Sequence, residues 1–165
     1  MKLKQGFLLI ELLIGIAIIA IIVAITTPSL NFLNRQLLAI ESEKLHLSFL
    51  HMQRMSLLES KNKEINFKDN SYTTESQTHV LPIGIKFGFF NNIKGPPALP
   101  IQEITNAITF KKKKAVFYEN GKVSPGSAYL IDEKNKLMYA VTVPVSEISY
   151  VRKYNLKNGS WNLVI

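Results

Sequence analysis

Residues 1–28 read MKLKQGFLLIELLIGIAIIAIIVAITTP, and the reading of this stretch decides the fold. From Phe7 to Ile25 every position but one is apolar, glycine included, and the exception is Glu11. At ~1.5 Å per residue a helix over these positions reaches about 28 Å, close to the ~30 Å hydrocarbon core of a bilayer. The sequence therefore predicts a transmembrane helix over 7–28. Lys2 and Lys4 precede it, which predicts a cytoplasmic N-terminus and an outward-facing remainder. A cleaved secretory signal fits poorly, because the apolar run is too long and no small-residue cleavage site follows it. A carboxylate inside such a run is costly unless paired, so Glu11 is the first candidate functional residue.

Beyond the apolar run, the rest of the 165-residue chain suffices for one modest domain. There is no cysteine, which excludes a disulfide framework and a thiolate metal site. The net charge is +8. From Lys61 onward 15 Lys/Arg stand against 8 Asp/Glu, a net of +7 (15 − 8), so most of the basic charge lies there and suits anionic partners.

Between Leu30 and Leu58 no Gly or Pro interrupts a run rich in Leu, Met, Glu, Lys and Gln, a composition that favours helix. Its apolar residues Leu33, Leu37, Leu38, Ile40, Leu45, Leu47, Phe49, Met52, Met55 and Leu58 fill an arc of roughly 200°. That is wider than packing on one sheet needs, so two contact surfaces are expected: the chain's own domain and neighbouring chains. Pro28 removes one helical hydrogen bond and predicts a kink between the two stretches.

After Lys61 the texture changes to short runs rich in Val, Ile, Phe, Tyr and Thr: KEINFK, SYTTESQTHV, IGIKFGFF, AITFKKKK, KAVFYE, SAYLID, LMYAVTVPV, ISYVRKYN and SWNLVI. Turn chemistry separates several of them, most sharply Asn158-Gly159, which predicts a hairpin. The segment NNIKGPPALPIQ reads as an irregular surface loop. The expected fold class is α+β: a long N-terminal α-helix, transmembrane in its first half, packed on an antiparallel β-sheet domain. The expected divisions are 1–6, a transmembrane helix at 7–28, its extension at 29–60 and a β-rich globular domain at 61–165.

Lys4-Gln5-Gly6-Phe7-Leu8-Leu9-Ile10-Glu11 resembles the cleavage and methylation signal of type IV pilins and pseudopilins. A short basic leader and a glycine precede an aromatic residue, three apolar residues and a glutamate. The resemblance implies a leader at 1–6, cutting by prepilin peptidase between Gly6 and Phe7, and N-methylation of Phe7. Glu11 and Pro28 match the family's assembly positions. Phe117-Tyr118-Glu119-Asn120-Gly121 and the Ser124–Leu130 run after it are similar to the C-terminal pattern of GspH/FimT-type minor pseudopilins. The implied protein is a non-enzymatic minor subunit near the tip of a type II secretion pseudopilus or type IV pilus-like filament. It would sit in the bacterial inner membrane by a single pass, with its globular domain periplasmic. Its partners would be other pilins, prepilin peptidase, an inner-membrane assembly platform and the membrane. The alternative is a DNA-binding minor pilin for natural transformation, and a third reading is an anchored β-domain that never polymerises.

Glu11 then has a physical role. Cleavage creates a secondary-amine cation at Phe7, since an α-amino group titrates near ~8. Staggered helices can bring Glu11 of one subunit to the Phe7 amine of the next, and neither charge is tolerable alone in an apolar core. The pair would set register.

For DNA the candidate contacts are Lys111, Lys112, Lys113, Lys114, Arg152, Lys153 and Lys157, with Tyr150, Tyr154 and Trp161 as stacking partners. Four successive lysines cannot share one face of a strand, so an exposed turn or strand end is expected for the run. His46 and His51 lack the i, i+4 spacing of a helical metal site, and His79 stands alone. Asp132, Glu133 and Asn135 fit a hairpin turn better than a calcium loop. No nucleophile elbow or phosphate loop is present, so no catalytic residue, metal or cofactor is expected.

Overall fold

In the computed structural model the backbone is described for residues 3–96, 102–145 and 149–164, and the side chains of the N-terminal helix at 9–24 and 36–59. Helix α1 spans Leu3–Glu59. Its two described stretches belong to different compact units, Met1–Asn34 and Arg35–Ile165.

The described residues of the larger unit form nine strands in two antiparallel sheets. The four-stranded sheet has the order β3-β2-β1-β5, with β1 Lys63–Lys68, β2 Ser71–Thr73, β3 Thr78–Val80 and β5 Lys114–Phe117. The five-stranded sheet has the order β4-β6-β7-β8-β9, with β4 Ile85–Phe87, β6 Gly126–Asp132, β7 Leu137–Val143, β8 Arg152–Lys157 and β9 Ser160–Val164. Alternation explains β1, whose Lys63, Ile65 and Phe67 are buried while Glu64 and Asn66 are partly open. Strand β6 is different: every residue from Ser127 to Asp132 is buried, the pattern of a strand covered on both faces.

The two faces of β6 feed two cores. Ala128 and Leu130, with Val141 and Val143 of β7, join Leu38, Leu45, Phe49 and Met52 of the helix and Ile65, Phe67 and Phe117 of the other sheet. Phe49 anchors this core, with its ring 5.3 Å from Phe117 in a T-shape and 5.6 Å from Phe110. Tyr129 and Ile131, with Met138 and Ala140, face the second core, which Ile104, Tyr154 and Trp161 complete. The cover over this second face comes from the expected surface loop. Lys94 and Glu103 form a bridge, and the Trp161 indole N–H donates to the Lys94 carbonyl at 2.8 Å.

The expected fold is thereby corrected in two respects. First, two antiparallel sheets dominate rather than one, and the 36–59 stretch of the helix enters their core. The reason is pairing: β1 pairs with β5 and β4 with β6 across long intervals of sequence, so Pro82-Ile83-Gly84 carries the chain from one sheet to the other. Second, among the described residues no helix is long and apolar enough to cross a membrane. The expected inner-membrane single-pass location, with its cytoplasmic N-terminus and periplasmic domain, is overturned by the same finding. The larger compact unit spans Arg35–Ile165, and the helix supplies one wall of its core.

Candidate functional site

In the smaller unit Leu9, Ile10, Leu12, Leu13, Ile14, Ile16, Ile18, Ile19 and Ile21 are all more than half exposed. At 100° per residue they point in most directions around the helix. An exposed apolar surface of this extent marks an interaction site. Glu11 is set among them, and Gly15 follows at i+4 on the same face. Glu11, Leu12, Gly15, Ile16 and Ile19 share one open face of the helix. A Cβ on Gly15 would meet nothing within 4 Å, so nothing among the described residues requires its smallness, which leaves room beside Glu11. The side chains of Gly6, Phe7 and Pro28 lie outside the described residues.

The basic residues expected to form one patch are divided among separate surroundings. Lys111–Lys113 form an exposed 3₁₀ turn ahead of β5, with Lys112 and Lys113 at positive φ (56° and 54°). Lys113 bridges Asp69 at 3.2 Å and Lys114 bridges Glu64 at 2.9 Å. Arg152 and Lys153 are adjacent on β8 and therefore point to opposite faces. Arg152 stacks on Tyr150, 4.3 Å from the ring centre, and donates to the Tyr154 hydroxyl at 3.3 Å. Lys153 is buried and paired with Glu43 of the helix, which holds the Glu43 carboxyl below its usual range. Lys157 is exposed at the end of β8.

The Asp132 turn closes on itself. Its two oxygens accept from the Asn135 backbone N–H at 3.2 Å and the Asn135 side-chain amide at 2.6 Å, while Glu133 bridges Lys86 at 2.7 Å. Among the described residues no group of acids, histidines or cysteines could hold a metal. His46 is half-buried, and burial lowers its pKa.

Sequence reasoning missed a buried carboxylate. Glu41 is 1 % exposed; one oxygen accepts from Lys44 at 2.8 Å and the other lies 2.5 Å from His79 Nε2. Burial pushes its pKa up, but the hydrogen bonds and charges of Lys44 and His79 outweigh this and leave it below the usual carboxylate range. His79 lies on β3 and Glu41 on the helix, so the bond ties the β2–β3 hairpin to α1. The i, i+3 spacing of Glu41 and Lys44 was visible in the sequence; the pairing with His79, 38 residues away, was not.

No protein-family model, curated protein or solved structure matches the chain.

Proposed function

We propose that the chain is a structural, non-catalytic subunit of a pilin-like filament, a minor pseudopilin that assembles through its N-terminal helix. The observation that carries this reading is the helix stretch 9–24, exposed and apolar around Glu11. Removing such side chains from water is worth about 25 cal/mol per Å², which gives helix association its driving force. The carboxylate supplies direction. A cation must reach Glu11 when the surface is covered, and the methylated Phe7 amine of a neighbouring subunit, freed by cleavage after Gly6, provides one. A wrong stagger would bury two unpaired charges, so the pair selects one register. Gly15 leaves space for the neighbouring helix to approach beside it.

Replacement of Glu11 tests the proposal. Glu11→Ala should leave the 35–165 unit folded and reduce incorporation into filaments more than tenfold, because an uncompensated buried charge costs several kcal/mol. Incorporation of Glu11→Ala at the wild-type level would refute it.

A further inference from the structure

Between α1 and the β2–β3 hairpin lies a groove of about 530 Å³, within the range of small-ligand sites. Its helix wall presents Lys44, Ser48 and His51 at i, i+4 and i+7, one face of the helix. The hairpin wall presents Tyr72, Gln77 and His79. The residues lining it include one lysine and two histidines but no carboxylate. The acid nearest the hairpin tip, Glu75, is drawn away by Lys63 at 2.6 Å.

Glu41 lies against this lining and is itself buried. It engages Lys44 and His79 with separate oxygens, which fixes two donors on opposite walls. Lys44 keeps two ammonium protons for another acceptor, and His79 meets Glu41 through Nε2, which leaves Nδ1 clear of it. The Tyr72 hydroxyl is held within 3.4 Å of Ser48 Oγ. A buried carboxylate is an expensive way to fasten a hairpin, but it is an effective way to preorganise donors for a ligand.

We propose that this groove binds an anionic oxygen group, a carboxylate or phosphate borne by a small molecule, between Lys44, His51 and His79. Lys44 and His51 grip the anion from the helix, His79 meets it from β3, and Glu41 acts as a positioning residue beneath them. The site lies within the 35–165 unit and does not depend on the assembly reading.

The test is titration of the full chain, held in mild detergent, with inorganic phosphate and separately with citrate, followed by amide and imidazole NMR shifts. Saturable shifts on the helix and hairpin walls are expected with at least one probe; phosphate alone assigns a phosphate ligand, citrate alone a carboxylate. His51→Gln and Lys44→Met should each weaken binding about tenfold, the loss expected for one charge-assisted hydrogen bond. His51 has no bonding partner among the described residues, so His51→Gln keeps the test valid if Lys44→Met disturbs Glu41. Lys111→Ala/Lys112→Ala should bind as the parent does. No saturable shift with either probe, unchanged affinity in His51→Gln, or loss in the Lys111/Lys112 variant would overturn the proposal.

Discussion

The 9–24 stretch and the 35–165 unit handle apolar surface in opposite ways. In the larger unit the helix residues Leu38, Leu45 and Phe49 are fully buried against two sheets, and charges that reach the interior meet partners, as Lys63 does with Glu59 and Glu75. In the smaller unit the large side chains from Leu9 to Ile21 stay open. One region is completed by its own chain, and the other presents a surface that another molecule can complete. Stability should therefore reside in one region and assembly in the other, with little overlap between them.

Substitution of Phe49 gives the largest expected effect. Phe49→Ala removes the ring shared by Phe67, Phe110 and Phe117 and should cost about 3–5 kcal/mol in denaturant unfolding of the 35–165 unit. Glu11→Ala should leave the same unfolding curve unchanged. A comparable loss in both variants would erase the distinction between the regions.

Overpacking is the next test. A Cβ on Gly126 would stand 2.4 Å from the Phe110 ring, so Gly126→Ala should destabilise by about 1–3 kcal/mol. Gly15→Ala, which meets nothing within 4 Å, should leave unfolding unaffected and weaken only assembly.

Glu41 sharpens the comparison through pH. Its folded pKa lies below the ordinary value, so its contribution is complete above the unfolded carboxylate pKa, ~4.3, and disappears as pH falls through the lower folded value. Lys44 and His79 are partly exposed, and screening reduces the effect to about 1 kcal/mol. Glu41→Gln should lower stability at pH 7 and flatten its decline between pH 5 and 3, measured by chemical unfolding across that range.

The smallest effect is expected at the surface. Lys114→Ala breaks a half-exposed pair with Glu64 and should change stability by no more than about 0.5 kcal/mol in the same unfolding assay.

Local chemistry made part of this molecule legible. KEINFK is β1 at both boundaries, and Asn158-Gly159 forms the hairpin between β8 and β9, with both residues at positive φ and Lys157 opposite Ser160. The lysine run is an exposed turn leading into β5. Non-local choices were hidden. SYTTESQTHV reads as one run but folds back on itself as β2 and β3, with Thr74 and Gln77 closing the turn. Nothing in the local sequence assigns β4 to β6 rather than to its neighbour β3. The wide apolar arc on the helix was visible, yet only its Leu38, Leu45, Phe49 and Met52 side is buried; Leu37, Ile40, Leu47 and Leu58 remain exposed. Among the candidate sites, Glu11 stands out in sequence because a charge interrupts an apolar run. Glu41 does not, since a glutamate in a polar helix carries no sign of its burial.

The central claim is that a free amine at Phe7 neutralises Glu11 of a neighbouring subunit, and the mass of the native chain's N-terminal peptide tests it most directly. The account predicts a peptide that begins at Phe7 and carries one methyl group on its amine. A native chain still beginning at Met1 would contradict it, because Glu11 would then have no such cation to meet.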